Sequence, residues 1–115
     1  MESVILIIQP ISKKELKEIA RKRFGDLVKA VVDIEKGVMA IGADLHADEE
    51  AFLLKEGSDQ KNLWGINLYP DLEIPEMIEF DSVINIRPSQ GNRSRLVENE
   101  EIRQKILEIV KNLII

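Results

Sequence analysis

Apolar residues fall along this chain in runs whose spacing changes with the element each predicts. Val4 to Ile8 is an unbroken apolar run ended by Pro10, short enough for a strand buried on both faces and expected at the centre of a sheet. Ser12 and Glu15 have the spacing of a capping box, with Ile11 and Leu16 placed as its hydrophobic staple, so a helix starts at Lys13. Leu16, Ile19, Ala20 and Phe24 then share one helical face, and Gly25 is the expected stop. From Leu27 to Ile34 the spacing becomes strict alternation, with Val28, Ala30, Val32 and Ile34 on one side and Lys29, Val31 and Asp33 on the other. Glu35-Lys36-Gly37 turns the chain into Val38 to Ile41, which predicts a β-hairpin.

A short helix follows over residues 47–56, its acids Asp48, Glu49 and Glu50 suited to a positive N-terminus and Gly57 just past its end. Leu63 to Tyr69 alternates again, with Trp64, Ile66 and Leu68 on one face and Gly65, Asn67 and Tyr69 on the other. After Pro70 and Pro75, residues 78–86 predict an antiparallel partner strand with Ile78, Phe80, Ile84 and Ile86 inward. Asp81, Asn85 and Arg87 would then share the opposite face, near Asn67 and Tyr69. Asn99 caps a last helix whose apolar stripe is Ile102, Ile106, Ile109, Val110 and Leu113. The order β-α-β-β-α-β-β-α has too few strand-helix-strand crossovers for a doubly wound sheet. It predicts an α+β fold, a single domain over residues 1–115 with three helices and a mixed, mainly antiparallel sheet. The first six elements follow the ferredoxin-like order.

Composition narrows the function classes. With 115 residues and 44% hydrophobic content, the chain has material for one core. No apolar run approaches the ~18–20 residues of a membrane span, and no basic leader precedes a cleavage site, so a cytoplasmic protein without membrane partners is expected. The absence of cysteine removes disulfides, thiolate metal sites and cysteine nucleophiles. A net charge of −5 argues against broad nucleic-acid binding. The apolar end Leu113-Ile114-Ile115 is expected in the core, with a homo-oligomer contact as the alternative.

Charge is unevenly divided, and the division points to a site. Between Ser82 and Val97 lie Arg87, Arg93 and Arg95 and no acid, although Lys outnumbers Arg in the whole chain. Arginine grips phosphate or carboxylate bidentately, and Gly91 with Ser89, Gln90, Asn92 and Ser94 supplies the freedom and donors for an anion nest. An ordinary solvated turn is the competing reading, but no turn needs three arginines. The expected function is therefore binding of a small phosphate- or carboxylate-bearing ligand by Arg87, Arg93 and Arg95, helped by Asn85, Ser89, Gln90 and Asn92. Tyr69 is the aromatic contact candidate, whereas alternation places Trp64 in the core. Asp81 either positions the ligand or forms a structural ion pair with Arg87.

The one histidine, His46, lies among Asp44, Asp48, Glu49 and Glu50. Helix-capping acids beside a loop histidine explain that cluster, and zinc-helix spacing and a calcium loop are both missing. If His46 faced the arginine loop, it would serve as general acid or base, with Asp44 or Asp48 orienting it or holding Mg²⁺, in a phosphoester hydrolase. An interaction module for an acidic protein or RNA is a third class. No nucleophile elbow, Walker A loop, dinucleotide fingerprint or HExxH is present, and nothing in the sequence names a cofactor or a metal.

The stretches Trp64-Gly65-Ile66-Asn67-Leu68-Tyr69-Pro70 and Ile84-Asn85-Ile86-Arg87-Pro88-Ser89-Gln90-Gly91-Asn92-Arg93-Ser94-Arg95 resemble a family of small prokaryotic proteins of unknown function. Residues 31–37 and 45–50 extend the likeness over the chain. The resemblance implies that these positions belong together and implies no activity. Leu96 stands where that family's pattern carries glycine, so the exit from the loop departs from it.

Overall fold

The computed structural model describes residues 4–115. Among these, five strands and three α-helices follow one another as β1 (Ile5–Ile7), α1 (Lys13–Arg21), β2 (Val28–Asp33), β3 (Val38–Ile41), α2 (His46–Lys55), β4 (Leu63–Leu68), β5 (Ile78–Glu79) and α3 (Glu100–Leu113). Single turns of tighter helix occupy Gln60–Asn62, Val83–Asn85 and Pro88–Gln90. The sheet runs β1-β3-β2-β4-β5, and every pairing is antiparallel. This is the expected α+β class.

The local signals explain most element boundaries. Ser12 Oγ accepts from Glu15 N at 3.1 Å while the Glu15 side chain reaches back to Ser12 N, which completes the capping box. α1 ends at Arg21, and Gly25, at φ 93°, closes the end by donating its N–H to the Ala20 carbonyl at 2.7 Å. Phe24, expected on the inward face, lies beyond the helix and is exposed, its ring beneath the Lys29 ammonium. In the hairpin, the buried Asp33 carboxylate accepts from Glu35 N and Lys36 N, both at 2.9 Å, and from Ser58 Oγ at 2.6 Å. One side chain thereby holds the turn and ties it to the chain after α2. Asn99 accepts from Ile102 N and caps α3 as expected.

Alternation sorts the strand residues onto two faces. Ile7, Val28, Ala30, Val32, Met39, Ile41, Trp64, Ile66 and Leu68 form the larger core with Leu16 and Ala20 of α1 and Ile106, Val110 and Leu113 of α3. Val31, Ala40 and Leu63 form a smaller one with Leu53 of α2, and Ile84 packs against it. Trp64 is thus a core residue, and Ile114 is buried as expected, leaving Ile115 exposed.

Three expectations are corrected by the topology. β1 is an edge strand rather than a central one, paired only with β3 and leaving Ile5 and Ile8 exposed. β1-β3-β2 has the ferredoxin-like order, but β4 joins β2 on the far side instead of flanking β1. The strand expected over residues 78–86 stops at Glu79, and Val83 and Ile86 are exposed. Beyond Glu79 the chain leaves the sheet, because side chains from the following segment take over the edge of β4.

Candidate functional site

The edge of β4 beyond its short pairing with β5 carries main-chain groups that must find partners. Asn85, fully buried, supplies them with its amide: Oδ1 accepts from Gly65 N at 2.8 Å and Nδ2 donates to Gly65 O at 3.0 Å. The side chain therefore does what a neighbouring strand would do. Glycine is required opposite, since a Cβ on residue 65 would lie 2.6 Å from Ser82 Cβ. Asn85 Nδ2 also reaches Arg95 O at 2.9 Å, which pins the far arm of the loop.

Arg87 continues the same edge. Its guanidinium donates to the carbonyls of Ile84 at 3.1 Å, Gln60 at 2.8 Å and Leu63, and stacks 4.6 Å from the Trp64 ring. Glu50 lies 3.9 Å away, and burial, partly offset by that carboxylate, pushes the Arg87 pKa down. Asn92 closes the loop: it exchanges main-chain bonds with Arg87 at 2.7 and 3.1 Å, donates from Nδ2 to Asn85 O at 2.7 Å and accepts from Glu98 N at 2.9 Å. Gly91, at φ 81°, makes the turn between them. Leu96 needs no such freedom, as among the described residues only glycines have positive φ.

Two successive N–H groups of the loop, those of Arg93 and Ser94, converge on a carboxylate of the chain itself. Glu98 Oε2 accepts from Arg93 N at 3.0 Å, Ser94 N at 2.8 Å and Ser94 Oγ at 2.6 Å. The Ser94 hydroxyl, foremost among these contacts, holds the Glu98 pKa below the usual carboxylate value. Arg93, Ser89 and Gln90 sit exposed on this turn, with Gln90 Nε2 donating to Lys61 O at 3.2 Å. Asp81, Asn85 and Arg87 do not share a strand face: Asp81 pairs with Arg95, Nε to Oδ1 at 2.7 Å.

A cleft of about 340 Å³ opens beside this pair, between the N-terminus of α2 and the start of the arginine loop. Lys29, His46, Asn67, Asp81, Ser82 and Arg95 line it, with Leu45, Val83 and Ile84 as its apolar part. Of the residues singled out from the sequence, the fold brings His46, Asp81 and Arg95 together here. Arg87, Arg93, Asn85, Ser89, Gln90, Asn92 and Tyr69 stand outside this lining. Tyr69 donates to Glu79 Oε1 at 3.1 Å, and desolvation with that carboxylate raises its pKa. Asp44 is bound by Arg23 at 2.9 Å, and Asp48 lines a separate hollow with Phe52 and Lys55. Among the described residues, no three His, Asp or Glu side chains gather in a way that could hold a metal ion.

Lys29, Asn67 and Ser82 belong to the cleft without having been candidates. Lys29 and Asn67 are direct cross-strand partners in the β2–β4 register, a relation that alternation within either strand does not reveal.

His46 is the first residue of α2 and is buried, with Nε2 2.8 Å from the Ile66 carbonyl. A carbonyl only accepts, so Nε2 carries the proton and Nδ1 the lone pair. Burial pushes its pKa below the ordinary 6.5; the Ile66 contact opposes this, Lys29 and Arg95 add to it, and Asp81 opposes it. Well above pH 6.5 both folded and unfolded histidine are neutral and the shift has no effect. As the pH falls through 6.5 toward the lower folded pKa, the unfolded chain takes a proton that the folded one refuses, and stability is lost at up to ~1.4 kcal/mol per pH unit. Urea melts at pH 7 and pH 5 are expected to show a smaller acid loss for His46→Gln than for the parent protein; equal losses would refute this account.

No helix among the described residues is long and apolar enough to cross a membrane. No curated protein and no solved structure matches the chain. A family model described as a protein of unknown function, DUF5674, does match, over residues 5–113. That span takes in the sheet, the cleft and the arginine loop alike, and the chain belongs to the DUF5674 family.

Proposed function

We propose that this protein binds a small phosphate- or carboxylate-bearing ligand in the cleft between α2 and the arginine loop, with Arg95 as the principal arm. The observation that carries this reading is the placement of Arg95 and Lys29 on one cleft whose floor includes the first residues of α2. Leu45, at the N-cap, provides no side-chain hydrogen bond to that helix end, and Asp48 and Glu49 of the same turn offset part of its positive charge, so Arg95 and Lys29 carry the attraction for an anion. Arg95 is half exposed, and its contacts with Asp81 at 2.7 and 3.4 Å engage two of five guanidinium donors. Arg87, Asn85 and Asn92 contribute by holding the loop that carries Arg95, and Arg93 stands on the neighbouring turn.

Thermal shift against a panel of phosphorylated and carboxylated metabolites tests this directly. A ligand at a hundred times its dissociation constant adds ~2.7 kcal/mol, on the order of 10 °C for a chain of this size. Arg95→Ala and Lys29→Ala are each expected to abolish the shift while leaving the unliganded protein folded. A hit unchanged in both variants would move the ligand elsewhere.

Hydrolysis of a phosphoester is a second reading, favoured by one fact: His46 lines the same cleft as Arg95. Turnover of an aryl phosphate lost in His46→Gln, with binding retained, would support it.

A further inference from the structure

The cleft offers acceptors as well as cations. His46 gives its Nε2–H to the Ile66 carbonyl, so its other ring nitrogen, Nδ1, is a lone-pair acceptor. Asn67, 8% exposed, donates from Nδ2 to Glu79 Oε1 at 2.8 Å and to Asp81 O at 3.2 Å. These two bonds fix the amide orientation, and Asn67 Oδ1 is left buried with no hydrogen-bond partner among the described residues. A buried acceptor without a donor costs free energy; Asn67 Oδ1 is closed to solvent in the unliganded fold, so a ligand that supplies the donor and recovers this cost must be accompanied by a small shift of the Asn67 side chain.

A bare anion meets only half of these demands. Phosphate or a simple carboxylate answers Arg95 and Lys29 but presents further lone pairs to His46 and Asn67. A ligand that carries hydroxyl groups a few bonds from its charge answers both. The cleft, about 340 Å³, is at the small end of ligand sites and suits a short metabolite.

We infer that the ligand is a hydroxylated organic anion, of the polyol-phosphate kind, whose hydroxyls donate to His46 Nδ1 and Asn67 Oδ1 while its charged group meets Arg95. This rests on the anion-binding reading above and adds the chemical class. Specificity then comes from the acceptors, because both cations hold any anion of the right charge whereas an acceptor discriminates by the presence of an O–H.

Calorimetric titration with glycerol 3-phosphate and with propyl phosphate separates the two layers, as the probes share a charged group and differ in hydroxyls. Glycerol 3-phosphate is expected to bind about tenfold or more tightly than propyl phosphate. That preference should fall to threefold or less in Asn67→Thr and in His46→Phe, each checked for folding by circular dichroism. Equal binding of the two probes would overturn this inference and leave the anion reading standing. Binding of neither probe would overturn both. A preference that survives unchanged in both variants would overturn the assignment of the acceptors; where a variant fails to fold, the two-probe comparison on the parent protein decides.

Discussion

Arg87→Ala is expected to lower stability by about 3–5 kcal/mol in a urea melt, the cost of breaking a buried charge pair from one side. Arg87 is 8% exposed and its partner Glu50 is little more so, hence removing the cation strands a carboxylate. The Leu63 carbonyl loses its arginine donor at the same time, the Gln60 carbonyl is left with the Leu63 N–H, and the Trp64 ring loses the plane stacked on it. Arg87→Lys should restore little of this, because an ammonium cannot fork between separate carbonyls and lie flat on an indole. The comparison that matters is Asp81→Asn. Asp81 pairs with the half-exposed Arg95 and not with Arg87, so its loss should be far smaller. Comparable losses in both variants would mean that Asp81 and Arg87 act as one unit.

Asn85→Leu should have an effect of similar size by a different route. Leucine fills the volume but leaves Gly65 N–H and Gly65 C=O without the amide that now meets them, while Arg95 C=O keeps only the Ser82 N–H at 3.1 Å. Each stranded buried group costs about 1–3 kcal/mol, so a total of about 2–6 kcal/mol is expected from chemical denaturation. A loss under about 1 kcal/mol would show that solvent replaces the amide at this edge. Combining Asn85→Leu with Arg87→Ala should cost less than the sum of the two, since either one alone already frees the same segment from β4.

The parts of the fold that could be read from the sequence are those written in short-range patterns. Ser12 and Glu15 declare the start of α1 at three residues' separation, Asn99 declares α3 in the same way, and alternation sorts Val28, Ala30 and Val32 from Lys29, Val31 and Asp33. Residues 80–97 could not be read so, because their organising bonds span twenty or more positions: Asn85 to Gly65 and Arg87 to Leu63. Ile84-Asn85-Ile86-Arg87 alternates like a strand, and an amide that substitutes for a strand leaves the same pattern. Likewise the apolar run at β1 states that both its faces meet core, which is true of Leu6 and Ile7, but says nothing of its place at an edge. In the cleft, His46, Asp81 and Arg95 stood out by residue type. Lys29 and Asn67 did not, as only the β2–β4 register sets them side by side.

Replacing a strand by a side chain at Gly65 also separates two kinds of motion. By the alternation of an antiparallel ladder, the amides of Trp64 and Ile66 turn toward β2, whereas that of Gly65 turns away and ends on Asn85. Deuterium uptake at Trp64 and Ile66 therefore reports opening of the sheet, and uptake at Gly65 reports each lifting of the 81–97 segment from it. Adjacent residues of one strand thus keep time for two different events.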